Sequence, residues 1–190
     1  DFNPYAVTVF QVMAEGNGVS GRTIHFDEMY LGETEDDGGE PIWFDWIGEM
    51  DGHWYFVSQE PMMWHDGLNF TDTVDLEEGD IIHMATLNSA AENDSVSTML
   101  GLYGVQNGVW LGLTDEFEEG NWQWVTGEPL NYSNWVDGEP SNTGGIEHYA
   151  EIWPWQDGEW NDSPQDAPNH VLVEYIPTNN EEMDISGEWQ

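Results

Sequence analysis

The sequence contains no cysteine, so it can form neither a disulfide framework nor a thiolate metal site. Basic residues are almost as scarce, because Arg22 alone stands against 39 Asp and Glu, for a formal net charge of -38. Such a charge repels phosphate backbones and anionic lipids, which excludes nucleic acid and membrane surfaces as partners. No apolar run is long enough to span a bilayer, so membrane insertion is not expected.

The composition nevertheless describes a folded domain. Of the 190 residues, 38% are hydrophobic and 14% aromatic, including 12 Trp, which is unlike a disordered acidic tail. The acidic surface needs abundant counterions, since screening acts over about 8–10 Å at ordinary ionic strength. A saline or calcium-rich exterior meets that need. We therefore expect a secreted, extracellular or cell-surface protein, and the missing disulfides favour a bacterial source.

Local patterns predict an α+β fold. Runs rich in β-branched and aromatic residues predict strands at residues 5–12, 23–30, 42–47, 53–58, 81–87, 110–114, 121–125, 147–153, around 160 and at 170–176. Pro61 predicts the start of a first helix over residues 61–70. A capping box at residues 89–92 predicts the start of a second helix. The core-facing residues of that helix, at helical spacing, are predicted to be Val96, Met99, Leu100 and Tyr103.

Residues 126–146 form a long stretch without periodicity, and loops of this length in a folded domain are commonly functional. The loop carries Glu139-Pro140-Ser141, and Glu147 and Trp160-Asn161-Asp162 follow it. Five oxygen-bearing side chains thus lie on the loop and on the segments after it. Calcium takes six to eight oxygen ligands, so five side chains would leave coordination positions open for a bound ligand.

These motifs resemble the principal calcium site of C-type lectin domains, which has Glu-Pro-Asn or Gln-Pro-Asp, then Glu, then Trp-Asn-Asp. Residues 110–113, Trp-Leu-Gly-Leu, and residues 120–124, Gly-Asn-Trp-Gln-Trp, are similar to core strands of the same family. The resemblance covers residues 50–176. It departs from the family at Ser141, where Asn is usual, and at Tyr149, where a disulfide cysteine is expected.

The resemblance implies a C-type lectin-like fold at residues 50–176, with residues 1–49 as a strand extension packed on the same core and residues 177–190 as a tail. It also implies a cis peptide bond before Pro140. The calcium ligands it implies are Glu139, Ser141, Glu147, Asn161 and Asp162. The positions it implies for a possible second metal are Asp115, Glu119, Asn142 and His148, two of which differ from the usual acids. No two of the six His are spaced as ligands on one helical turn, which argues against zinc.

Size, acidity and missing cysteines also resemble the calcium-dependent peptide-binding domains of bacterial RTX adhesins. That resemblance implies a monomeric module of a larger adhesin, whose calcium holds the C-terminal carboxylate of a host surface peptide. The alternative is a lectin that binds mannose- or fucose-type glycans through the same calcium. The side chains expected to contact either ligand are Glu139, Glu147, Asn161, Asp162, Trp135, Trp153 and Trp155. A metal-dependent enzyme is less favoured, because no nucleophile lies beside a His and there is no Cys. An ice-binding protein is also less favoured, since it would need a flat regular face that the sequence does not show.

Overall fold

The computed structural model describes residues 29–31, 42–74 and 79–177. The predicted strand at residues 5–12 lies outside these ranges, as do residues 23–28 of the next predicted strand and residues 178–190 of the predicted tail. No helix within the described ranges is long and apolar enough to cross a membrane.

The described chain forms a mixed sheet, two α-helices and one short 3-10 helix. The strands are β1 (Met29–Leu31), β2 (Ile42–Met50), β3 (His53–Ser58), β4 (Ile81–Met84), β5 (Val109–Thr114), β6 (Gln123–Trp124), β7 (Tyr149–Trp153), β8 (Glu159–Ser163) and β9 (His170–Ile176). The helices are α1 (Trp64–Thr73) and α2 (Ala90–Tyr103), and the 3-10 helix is Thr143–Gly145.

The strands pair in the order β1-β2-β3-β9-β5-β7-β8, with β4 added to β9 and β6 to β5. Every described pair is antiparallel except β5 with β9. The predicted α+β class, with two helices and a mixed, mostly antiparallel sheet, is confirmed. The first two strands continue the sheet beyond β3, while the predicted domain boundaries stay predictions.

Successive side chains of a strand point to opposite faces of a sheet, and here both faces are covered. On β5, Val109, Leu111 and Leu113 enter a core cluster that also holds the buried apolar residues of α2. Trp110, between them, enters a second cluster with the buried aromatic residues of α1. All six residues of β5 are buried, which makes it the central strand between two helix-covered layers.

The first helix begins at Trp64, so the prediction that it starts at Pro61 was wrong. The backbone just before Trp64 pairs with another segment instead of joining the helix, because the amide of Met62 donates to the carbonyl of Asn169 at 2.9 Å. Once formed, α1 lies close to β9. A Cβ added to Gly67 would come within 2.7 Å of Val171 Cγ2, so the close approach requires glycine at this position.

The second helix begins as predicted, since Ser89 Oγ accepts a hydrogen bond from the amide of Glu92 at 3.2 Å. Three of its four predicted core residues face inward, but Tyr103 is 44% exposed and donates through its hydroxyl to Asp45. Tyr103 stays partly exposed because its hydroxyl is polar and would lose its contact with water if the side chain were buried. Strand β4 ends at Met84, three residues earlier than predicted, where the carbonyl of Ala85 turns to accept from Gly112 at 2.9 Å.

The cap of α2 provides a direct stability test. Ser89→Ala removes the acceptor for an otherwise unpaired helix amide and should lower the free energy of unfolding by about 1 kcal/mol. Ser95→Ala, in the same helix, removes only a hydroxyl that donates to the Ala91 carbonyl, and should cost a few tenths of that amount at most. Urea unfolding of both variants measures the difference. Equal losses would contradict the role of Ser89 as the cap.

Candidate metal centre

The long loop is held against β8 by backbone hydrogen bonds. The amide of Val136 donates to the Trp160 carbonyl at 2.9 Å, and the amide of Trp160 donates to the Asn134 carbonyl at 2.7 Å. After this anchor the chain makes a cis peptide bond between Glu139 and Pro140, which confirms the expectation from the resemblance. The loop therefore returns to β8 beside Asn161 and Asp162, and its one element among the named helices and strands is the 3-10 helix Thr143–Gly145.

Asp162 fixes the tip of this loop. Its side chain is fully buried, yet the buried carboxylate has no Lys or Arg to pair with among the described residues. Instead, Oδ1 accepts from the amide of Ser141 at 3.0 Å and Oδ2 from the amide of Asn142 at 2.7 Å. Two backbone amides thus stabilise the negative charge of Asp162 and position Ser141 next to it.

Ser141 and Glu147 meet on the exposed side of the loop tip. The hydroxyl of Ser141 donates to Glu147 Oε2 at 3.4 Å, and the amide of Thr143 donates to the same oxygen at 2.6 Å. The amide of Glu147 in turn donates to Asn142 Oδ1 at 3.1 Å. A continuous set of hydrogen bonds therefore joins Asp162, Ser141 and Glu147.

Glu139 is the least satisfied member of the group. Its Oε2 is buried and has no hydrogen-bond partner in the described structure. Burial raises the pKa of the Glu139 carboxyl; a hydrogen bond from Ser141 lowers it, and the neighbouring Asp162 carboxylate raises it again. Two adjacent carboxylates require either a shared proton or a cation between them. The unpartnered oxygen beside Asp162 fits a metal ligand.

Asn161 is oriented by Glu151, a residue that the sequence interpretation missed. The two residues are direct partners across β7 and β8, and Asn161 Nδ2 donates to Glu151 Oε1 at 3.0 Å. The amide nitrogen is thereby engaged, which leaves Oδ1 available as a metal ligand. Glu151 is 6% exposed and also accepts from Trp153, Ser163 and Asn169. Only the strand register, which the sequence does not state, could have identified it.

The second predicted set also comes together. His148 Nδ1 lies 3.0 Å from Asp115 Oδ1 and 3.6 Å from Glu119 Oε2. Asn142 Nδ2 donates to Glu119 Oε2, while Asn142 Oδ1 accepts from the Glu147 amide. Asn142 is therefore hydrogen-bonded to both sets. The second set offers an imidazole nitrogen and two carboxylates, a different donor chemistry from the all-oxygen first set.

A third group was not predicted. Within the described part of the chain, His53, Glu92 and Glu174 have ligand-type atoms within 4.8 Å of one another, as have Asp115, Glu119 and His148. His53 Nδ1 lies 2.5 Å from Glu174 Oε1, and Glu92 accepts from the Tyr55 hydroxyl at 2.9 Å. Burial raises the pKa of Glu92. These residues come from β3, α2 and β9, so no local motif shows the group.

The three tryptophans predicted to touch the ligand differ in their surroundings. Trp135 is half-buried and packs on Trp122 and Trp160, with ring centroids 4.8 Å and 5.7 Å away. Trp153 donates through its indole nitrogen to Glu151 Oε1 at 3.0 Å and stacks on Trp155 at 5.8 Å. Trp155 is 53% exposed. Trp135 thus contributes packing beneath the loop, whereas Trp155 presents an aromatic surface to solvent.

Comparison with known proteins shows which family this part of the chain resembles. Residues 80–173 match the family model of the lectin C-type domain. Pulmonary surfactant-associated protein D of Sus scrofa is 40% identical over 96 residues, which make up 48% of this chain but only 24% of that protein. A C-type lectin mannose-binding isoform of Notechis scutatus scutatus is 29% identical over 132 residues, 68% of this chain and 80% of that protein.

Among solved structures, the C-type lectin CEL-I from Cucumaria echinata superposes with a TM-score of 0.63. The two sequences are 24% identical, and the match covers 70% of this chain and 95% of that one. This likeness shows the fold. Together with the matched family model, it shows that residues 80–173 lie in a domain with the C-type lectin fold.

Proposed function

We propose that the protein is a calcium-dependent carbohydrate-binding module whose ion is held by Glu139, Ser141, Glu147, Asn161 and Asp162. The observation that carries the proposal is the buried, unpartnered Oε2 of Glu139 beside the buried carboxylate of Asp162. C-type lectin domains are generally calcium-dependent, and every donor in this set is an oxygen, which suits a hard cation. A bound calcium ion would supply the positive charge that these carboxylates otherwise lack.

The donor set favours a site that stays open to a ligand. Five side-chain ligands fill fewer positions than the six to eight that calcium takes, so two vicinal sugar hydroxyls can complete the coordination. The carboxylates of Glu139 and Glu147 would accept hydrogen bonds from the same hydroxyls, which fixes the orientation of the sugar ring. Half-exposed Glu147 and exposed Ser141 lie on the solvent side of the loop tip, where a glycan can reach them.

Sugar is a better ligand than a peptide carboxylate for this surface. A chain of formal net charge -38 repels anions at long range, whereas a neutral diol approaches without that penalty. The relatives reported above are animal lectins, and the snake relative is named as mannose-binding. The RTX-adhesin resemblance gains no support from them. We therefore favour the glycan alternative over capture of a peptide C-terminus.

The motif narrows the class of sugar. Glu139-Pro140-Ser141 approximates the Glu-Pro-Asn form that the sequence resemblance associates with mannose, fucose and glucose-like diols. Trp155, exposed next to Trp153, would stack on a flat pyranose face. We also propose that the protein acts outside the cell, because open calcium sites of extracellular modules are weak, with a Kd of about 0.1–1 mM. Binding rather than catalysis is the activity that this arrangement serves.

Removal of Asp162 tests the metal site. Calcium at about 100 times its Kd should add about 2.7 kcal/mol to the stability of the native chain. Asp162→Ala should lose that increment, because it removes a ligand and the acceptor for the amides of Ser141 and Asn142. Urea unfolding with calcium and with chelator measures it. Asp137→Ala, an exposed carboxylate of the same loop, is the control and should keep the increment. An unchanged increment in Asp162→Ala would exclude this site.

The chemistry of single ligands gives a finer test. Glu139→Gln keeps the side-chain shape but removes the charge beside Asp162, so calcium affinity should fall at least ten-fold. Ser141→Asn replaces a hydroxyl oxygen with an amide oxygen and should bind calcium as well as the native chain does. Calorimetric titration of calcium compares the two variants. If Glu139→Gln bound as tightly as the native protein, Glu139 would not be a ligand.

The ligand class is tested on two arrays, one of glycans and one of peptides with free or amidated C-termini, each probed with calcium and with chelator. We expect calcium-dependent signal on mannose- or fucose-type glycans, absent for Asp162→Ala. Signal confined to peptides with free C-termini, and lost on amidation, would instead establish a metal-held carboxylate. Silence on both arrays, from a chain that binds calcium, would overturn the proposed function.

A further inference from the structure

The group of Asp115, Glu119 and His148 does not match a calcium site. Calcium takes six to eight oxygen ligands, but this group supplies two carboxylates and one imidazole. Asn142 turns its Nδ2, not its oxygen, toward Glu119, while its Oδ1 accepts from the Glu147 amide. The position where the resemblance places an auxiliary calcium therefore carries a donor set of another kind.

The same three residues match the requirements of zinc. Zinc binds imidazole nitrogen and carboxylate oxygen at about 2.0–2.2 Å in tetrahedral geometry, which places neighbouring ligand atoms about 3.3–3.6 Å apart. His148 Nδ1 lies 3.0 Å from Asp115 Oδ1 and 3.6 Å from Glu119 Oε2, close to that spacing. Three protein ligands leave a fourth position for water, a common arrangement for zinc.

Two of the three ligands are already fixed in place. Asp115 is 2% exposed, and its second oxygen accepts from the amide of Gly120 at 2.7 Å. The carbonyl of His148 accepts from the amide of Asp115 at 3.2 Å and from the hydroxyl of Thr114 at 2.8 Å, which ties the His148 backbone to the end of β5. Glu119, with a 58% exposed side chain, is the ligand free to adjust. Such outer hydrogen bonds orient metal ligands.

We propose that Asp115, Glu119 and His148 bind a zinc-type divalent cation in preference to calcium. The sequence argument against zinc looked for two His on one helical turn, whereas the fold brings one His to two carboxylates from a separate segment. A nitrogen ligand is what distinguishes the two metals, because imidazole suits zinc and its transition-metal neighbours, while all-oxygen sets suit calcium.

Zinc at this group would also act on the loop. Asn142 donates to Glu119 through its side chain and to Asp162 Oδ2 through its backbone amide, at 2.7 Å for the latter. Ordering Glu119 on a metal would therefore restrain Asn142 and, with it, the residues of the first set. This coupling rests on the proposed calcium site, but the zinc site itself does not.

The test is a calorimetric titration of zinc into the full chain after chelator treatment, without calcium. We expect strong zinc binding that survives millimolar calcium and falls at least ten-fold in His148→Ala. His148→Asp should exchange the preference, with weaker zinc and stronger calcium binding. Urea unfolding in chelator establishes that both variants fold. Zinc affinity unchanged in both variants, or zinc displaced by calcium at equal concentration, would overturn the proposal.

His53→Ala is the matched control, because His53 belongs to the other described group of one His and two carboxylates. It should leave the high-affinity zinc unchanged. Loss of that zinc in His53→Ala, with retention in His148→Ala, would assign the metal to the other group and refute the proposal. Calcium titration with and without zinc then measures the coupling between the two sites. Zinc should change the calcium affinity of the native chain at least five-fold and should not change that of Asn142→Ala.

Discussion

The burial of carboxylates without basic partners is the constraint on which the rest of this structure depends. Among the residues that the structure describes, four acids are at most 6% exposed: Asp115, Glu151, Asp162 and Glu174. The chain's one Lys or Arg, Arg22, lies outside the described residues. An unpaired buried charge is prohibitively costly, so each acid must be met by hydrogen-bond donors, a His or a metal ion. Hydrogen bonds to a charged group contribute about 1.5–3 kcal/mol each.

The four buried acids are stabilised in two ways. The difference distinguishes an acid with a structural role from acids that belong to candidate metal sites. Glu151 is surrounded by neutral donors from Trp153, Asn161, Ser163 and Asn169 and needs no further partner. Its role is to hold β7, β8 and the end of the loop before β9 in register. Asp115 and Glu174 instead lie against a His and a second carboxylate, and Asp162 lies against Glu139. Each of the latter three lies beside a second carboxylate, so a bound cation would lower the repulsion between the paired charges.

The sequence predicted what local chemistry determines, and missed what register and tertiary contact determine. The capping box, the aperiodic loop and the order of the calcium-type motifs depend on neighbouring residues, so they could be recognised directly. The start of α1 could not, because the pairing of Met62 with Asn169 displaces it. Glu151 and the partners of His53 could not either, since both depend on which strands and helices lie side by side. Tyr103 was wrongly placed in the core because it falls on the apolar stripe of α2, whereas its hydroxyl is polar and donates to Asp45.

Because the chain has no cysteine, the order of the loop rests on noncovalent contacts. At Tyr149, where the resembling domains have a cysteine, the ring packs on Trp64 and His65, with centroids 4.7 Å and 5.3 Å away. His65 Nδ1 in turn lies 2.5 Å from Gln165 Oε1. Noncovalent contacts therefore join α1 to β7 and to the turn after β8. Such contacts do not constrain the unfolded chain, as a covalent link would. Closure of residues 126–146 then depends on Asp162 and on the backbone hydrogen bonds to Trp160, and the affinity for the proposed ions would include the free energy of ordering the loop.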